Sequence, residues 1–293
     1  MGFLFSLERV RNDAIPTLSA FPILRDEIMR ELRAFPAIVA GSVYGSSMRG
    51  DVSVRSDMDM FLVYETAERN RVSHMLRRLG DRARSVHISL HASVHSVDAA
   101  ARTDRYGPSF RETWNRMRTA GLLIGEPECY YRALFPYDVQ TEMRNKIHRY
   151  VGKVRRQQHQ FAGLPRSRGW LDRQLERWYA DSVRPAHVHI NVARWLLLWR
   201  DGTLGDDGKH SVTRRLLASS EFASIHETFE SVRHLDAGYN RLLRKMRRGE
   251  ISGAEYAHGV RAILNALLPA NVFLLSEAHR ITTGNLRPIH VAA

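Results

Sequence analysis

Apolar positions in the first 135 residues alternate between two periods. In SAFPILRDEIMRELRA, residues 19–34, Ile23, Leu24, Ile28 and Leu32 recur at helical spacing, and Pro36 stops the run, so a helix is expected. AIVAGSVYG follows as a short stretch of small and β-branched residues, which predicts a buried strand at about 37–44. A second strand is expected over Asp57 to Tyr64. Ala67 to Arg82 returns to helical spacing, with Val72, Met75, Leu76 and Leu79 inward. VHISLHASVH predicts a third strand, in which Ile88, Leu90, Ala92 and Val94 alternate with His87, Ser89, His91, Ser93 and His95. A helix around Phe110 to Thr119 and the strand-like run GLLIGEPE close the series.

After Phe135 strand signals nearly vanish. Helical patterns run through about 138–161, 170–182, 186–200, 221–248 and 253–280, broken by GLPRSRG and by DGTLGDDGKHS. The expected fold class is α+β: a mixed sheet with flanking helices in residues 1–135, followed by an all-α domain over 136–293. No apolar run approaches the roughly 18 residues of a spanning helix, and Glu8 and Arg9 interrupt the start after a short apolar segment, so neither a membrane span nor a signal peptide is expected.

Composition changes this picture in two places. The single cysteine, Cys129, rules out an internal disulfide and a cysteine-based zinc cluster, which fits a reducing cytoplasm. The net charge of +13 is unevenly spread. Residues 1–135 carry 19 Lys and Arg against 16 Asp and Glu, whereas the remainder carries 25 against 15. The cationic excess therefore belongs to the helical half, where it suits a polyanionic partner.

The candidate chemistry lies in VYGSSMRGDVSVRSDMDMFLV, residues 43–63. Asp57 and Asp59 stand among Met58, Met60, Phe61 and Leu62, where a carboxylate without a counterion costs several kcal/mol and two side by side repel. Side chains two apart on a strand share a face, so both acids project together. Tyr44-Gly45-Ser46 turns from strand into helix; glycine lets a phosphate approach the backbone, and Ser46 adds a hydroxyl donor. A phosphate cradle beside two carboxylates suits Mg²⁺, which takes hard oxygen ligands from a carboxylate or two and from substrate phosphates. The alternative is a strand-turn-helix whose acids are partly neutralised by Arg55.

Gly45-Ser46, then Arg49-Gly50, then Ser56-Asp57-Met58-Asp59 followed by Met60-Phe61-Leu62-Val63, resembles the signature of the polymerase-β-type nucleotidyltransferase superfamily, nearest to its bacterial minimal and antibiotic-modifying members. The resemblance covers residues 37–95 and extends weakly to 121–126. It implies a nucleotidyltransferase fold for the first domain. It further implies that Gly45 and Ser46, with Ser56 beside the acids, hold a nucleoside triphosphate, and that Asp57 and Asp59 coordinate a pair of Mg²⁺ ions. Arg49 is a candidate for phosphate contact, its alternative being a solvated loop arginine. Many members supply a third carboxylate from a neighbouring strand, and here the corresponding strand has no acid before Asp98. Either its polar ladder faces solvent on an edge strand, or His91 serves as ligand or base, or Asp98 or Glu65 folds back.

Arg144, Lys146, Arg149, Lys153, Arg155 and Arg156 lie along one expected helix, and Arg241, Arg244, Lys245, Arg247 and Arg248 along another. Two such runs in the basic half favour an RNA acceptor, such as a tRNA end, as in toxin-type members. An aminoglycoside or other small-molecule acceptor is the first alternative, because net charge says little about the lining of one pocket. A nucleic-acid-binding or antitoxin-like protein that keeps the fold with weak catalysis is the second. Tyr150, Tyr179, Trp195 and Trp199 are expected to pack in the core, and the two-residue spacing of His187 and His189 points them apart on a helix, so no metal site is read there.

Overall fold

Helix Ala20–Ala34 turns Phe21, Leu24, Ile28, Met29 and Leu32 inward. Ile23, expected on that stripe, is 53% exposed. One residue of offset rotates a helical side chain by about 100°, and Phe21, three residues before Leu24, takes the inward place instead. The computed structural model containing this helix describes residues 2–103, 106–131, 138–165, 168–180 and 183–284.

Two units divide the chain: Met1–Phe3 with Glu8–Asp138, and Leu4–Leu7 with Val139–Ala293. The boundary expected after Phe135 lies outside the described residues, and the division falls at Asp138. Leu4–Leu7, assigned by sequence to the first domain, belongs to the second.

The first unit runs α1 (Leu7–Arg11, whose first residue belongs to the second unit), α2 (Ala20–Ala34), β1 (Ile38–Tyr44), α3 (Ser46–Arg49), β2 (Met58–Tyr64), α4 (Arg69–Ser85), β3 (Leu90–Ser96), α5 (Val97–Ala100), α6 (Pro108–Thr119), β4 (Ile124–Gly125) and α7 (Glu128–Tyr131). Its sheet is mixed and has the order β3-β2-β1-β4. β1 is antiparallel to β2 and to β4, and β2 is parallel to β3. A parallel pair needs a crossover, and α4 supplies it.

Both faces of β2 are covered. Met58, Met60, Leu62 and Tyr64 pack into a core with Leu24 and Ile28 of α2 and Val72 and Met75 of α4. Phe61 and Val63 enter a second core with Ala40, Tyr106, Trp114, Met117 and Tyr131. A strand buried on both sides reads as a continuous apolar run, which is why MFLVY shows no alternation.

The second unit is helical throughout its described residues: α8 (Val139–Ala162), α9 (Arg168–Ala180), α10 (Val188–Asp201), α11 (Lys209–Leu217), α12 (Ala223–Arg247) and α13 (Gly253–Gly284). Helix α11 was not expected from the sequence. Its nine residues follow the turn-rich DGTLGDDG, and only Val212 and Leu216 anchor it with apolar bulk. Helix α13 is long and apolar enough by composition to cross a membrane. In the structure it buries Tyr256, Val260, Leu264, Leu267, Leu274 and Leu275 and packs against α8, α10 and α12. Leu4–Leu7 is tied in by directed bonds: the Phe5 amide donates to the Tyr239 hydroxyl at 2.7 Å, and the Tyr256 hydroxyl donates to the Phe5 carbonyl at 2.9 Å. The Leu7 amide donates to Asp172 Oδ1 at 3.0 Å, and the Ser6 hydroxyl to Glu176 Oε1 at 2.8 Å.

Candidate functional site

Strand β1 ends at Tyr44, and Gly45 takes φ 77°, ψ −143°, a region that residues with a side chain rarely adopt. A Cβ on Gly45 would lie 2.8 Å from Asp59 Oδ2. The glycine is thus required twice, by its own dihedrals and by the carboxylate seated against it. One helical turn follows as α3, closed by the Ser47 hydroxyl donating to Tyr44 O at 3.0 Å and the Arg49 amide donating to Gly45 O at 3.3 Å. Arg49 Nε lies 3.4 Å from an Asp51 carboxylate oxygen, so its guanidinium has a local partner.

The loop into β2 holds its own shape. The Ser56 amide donates to Ser53 O at 2.9 Å, and the Ser53 amide donates to Ser56 Oγ at 3.0 Å. Ser56, expected beside the nucleotide, is buried, and its hydroxyl oxygen closes this turn. Arg55 is buried as well, with Nε donating to the Phe3 carbonyl at 2.7 Å.

Asp57 lies just before β2 rather than inside it, and Met58 begins the ladder by donating to Ser89 O at 2.9 Å. Asp59 pairs with Tyr44 on β1 and with His91 on β3, so Tyr44, Asp59 and His91 form one row across three strands. All three are half-buried, as is Asp57. His91 Nε2 lies 4.0 Å from Asp57 Oδ2 and 3.1 Å from Ser89 Oγ. The structure therefore gathers Asp57, Asp59, Gly45 and His91 in one neighbourhood.

β3 is an edge strand, as one reading of its polar ladder required, but that ladder does not simply face solvent. Ser93 is paired with Phe61 and is 2% exposed, and His95 Nδ1 meets the Tyr131 hydroxyl at 3.0 Å. Ala92, expected inward, is exposed. The apolar signal misled here because α6 and Tyr131 bring an aromatic layer over the polar face. Asp98 and Glu65 do not reach His91 or Asp59. Asp59 and His91 sit near the start of β2 and β3, whereas Glu65 follows the end of β2 and Asp98 lies in α5 beyond the end of β3. Asp98 instead accepts from the Thr66 hydroxyl at 2.8 Å.

Tyr44 and Phe110 were not singled out by sequence. Their rings meet edge to face at 5.4 Å, and Tyr44 shares the row with Asp59, so an aromatic wall flanks the acids. The spacing of Tyr106, Phe110 and Trp114 four residues apart was the available signal.

Among the described residues no three His, Cys, Asp or Glu side chains are grouped tightly enough to hold a metal by themselves. Two carboxylates beside the Gly45 corner fit Mg²⁺ nonetheless, because that ion completes its shell with water and phosphate oxygens. His189 packs its ring on Phe229 at 5.3 Å, and burial, aided by Arg194 and Lys209, holds the His187 pKa well below its usual value. The two basic runs differ. On α8, Lys146 pairs with Glu142 at 2.7 Å and Lys153 lies 5.3 Å from the centre of the Tyr150 ring. Near the end of α12, Arg241, Arg244, Lys245, Arg247 and Arg248 are all exposed, and Arg248 lies 3.6 Å from Glu250. The chain matches no known protein-family model and no curated protein.

Proposed function

We propose that this chain is a magnesium-dependent nucleotidyltransferase of the polymerase-β type, which moves a nucleoside monophosphate from a triphosphate to an RNA hydroxyl and releases pyrophosphate. The observation that carries the reading is the seat of Asp59 Oδ2 against the Cβ position that Gly45 lacks. Side-chain bulk is excluded where a carboxylate, a metal and a phosphate would have to meet. The mixed sheet supports the fold assignment, since β1 turns through α3 into antiparallel β2 and a helical crossover leads to parallel β3.

Asp57 and Asp59 would hold the magnesium. Bound there, the metal supplies neutralisation of phosphate charge as the leaving group departs. The Gly45-Ser46 backbone takes the close approach of the triphosphate, and Arg49, held by Asp51, lies on the turn that follows. In the transfer, a bond forms between the acceptor oxygen and the α-phosphorus, and the bond to the β-phosphate oxygen breaks with its electron pair leaving on pyrophosphate. The acceptor proton passes to His91, whose Nε2 lies 4.0 Å from Asp57 Oδ2. The exposed cations of α12 favour RNA over a cationic small molecule as acceptor.

The test incubates the protein with Mg²⁺, each labelled triphosphate, total RNA and, separately, aminoglycosides. RNA becomes labelled by the wild type and less by Asp57→Ala or Asp59→Ala, by a factor on the order of 10² or more. Label found only on an aminoglycoside overturns the RNA acceptor. No transfer under any condition overturns the enzyme.

A further inference from the structure

The turn that delivers Asp57 is latched by Phe3, with Gly2 beside it. The Phe3 amide donates to the Arg55 carbonyl at 2.9 Å, and Arg55 Nε donates back to the Phe3 carbonyl at 2.7 Å. Phe3 and Arg55 thus exchange two bonds, one of them charge-assisted and fully buried. Gly2 is buried beside them, and a Cβ added there would lie 1.8 Å from the Arg55 carbonyl oxygen. Only glycine allows the backbone to approach that closely.

Phe3 continues directly into Leu4–Leu7, which the bonds from Tyr239, Tyr256 and Asp172 hold in the second unit. On the other side of the latch, Arg55 is followed by Ser56, whose amide and hydroxyl are fixed on Ser53, and then by Asp57. Two peptide units separate the latch from the carboxylate, so little torsional freedom remains between them.

We infer that Arg55 is a positioning residue: with Gly2 and Phe3 it sets the backbone from which Asp57 reaches the metal, and it does so through Phe3 rather than by touching substrate. This rests on the nucleotidyltransferase reading for its consequence, while the latch can be measured without any turnover. A buried arginine this near two acids has a simpler use as their counterion. Arg55→Lys separates the two, because lysine keeps the charge and lacks the planar Nε donor that meets Phe3.

The experiment uses the full chain and three variants, Gly2→Ala, Arg55→Lys and, as a control, Gly50→Ala, whose added Cβ meets nothing within 4 Å. Hydrogen exchange of the peptide spanning residues 51–60 is read first, then Mn²⁺ half-saturation by electron paramagnetic resonance, then transfer kinetics. Gly2→Ala and Arg55→Lys are expected to speed exchange in 51–60, raise Mn²⁺ half-saturation roughly tenfold and lower kcat with little change in KM for the triphosphate. Gly50→Ala leaves the exchange of that peptide as in the wild type. Unchanged exchange in both latch variants overturns the proposal, as does wild-type Mn²⁺ half-saturation in Arg55→Lys, which assigns the residue a charge role. Faster exchange in the latch variants of a protein whose wild type neither binds Mn²⁺ through Asp57 nor transfers nucleotide removes the enzymatic reading and leaves the latch as an ordering element of the loop.

Discussion

Gly45 and Gly50 bracket the same helical turn, both at positive φ, and they should differ sharply on substitution. Gly50 sits at φ 71°, ψ 9°, the left-handed region that other residues enter at modest cost, and an added Cβ there touches nothing within 4 Å. Gly50→Ala is expected to cost about 1 kcal/mol. Gly45 combines a glycine-only conformation with an added Cβ 2.8 Å from Asp59 Oδ2. Gly45→Ala is expected to cost about 1–3 kcal/mol from the backbone alone, and to turn the Asp59 carboxylate out of its seat. Urea unfolding of both variants checks the first figure. Under the proposed nucleotidyltransferase reading, a transfer assay checks the second, with Gly45→Ala losing most of the activity and Gly50→Ala little. At this scale the sequence singled out Gly45, Asp57 and Asp59 by type and spacing, and the structure brings Gly45 and Asp59 into contact. It did not reveal that Ser56 closes a turn or that Tyr44 stands beside Asp59, because a side chain's neighbours depend on which strands pair.

The aromatic layer over the site face depends on one short helix. Phe110 and Trp114 lie one turn apart on α6, and Trp114 stands within 6.1 Å, centre to centre, of the Phe61, Tyr106, Phe110 and Tyr131 rings. Trp114 is fully buried, so Trp114→Ala removes a bicyclic side chain from a place that cannot refill easily. The expected cost is about 3–5 kcal/mol, read as a shift of the first unit's urea transition. Trp170→Ala serves as the comparison: that residue is 42% exposed, and its loss is expected to move stability by no more than about 0.5 kcal/mol. Equal effects from the two would mean that the layer contributes nothing. Helices α2, α4, α8, α12 and α13 were legible because each repeats its apolar stripe over several turns. Helix α11 and the covered face of β3 were not. The first has two apolar anchors, and the second takes its environment from α6, more than ten residues away in sequence.

At the scale of the whole molecule, charge separates the halves, and it yields a prediction about binding. The five exposed cations at the end of α12 can each release a counterion when they meet an RNA phosphate. Replacing Arg241, Arg244, Lys245, Arg247 and Arg248 by Gln should lower the slope of log affinity against log salt by about 0.7 for every phosphate that is no longer neutralised. Fluorescence anisotropy with a single-stranded RNA over a salt series measures it. An unchanged slope would remove this face as the RNA-binding surface. Length, hydrophobic periodicity and the asymmetry of charge were enough to expect a mixed sheet followed by helices, since both features are local or additive along the chain. Tertiary structure alone decided that Leu4–Leu7 joins the helical unit, that Arg55 is held by Phe3, and that His91 is the group beside Asp57 while Asp98 and Glu65 lie at the far end of the sheet. Strand register and the path of a short anchored segment are set by packing between residues far apart in sequence, and no local pattern encodes such a meeting.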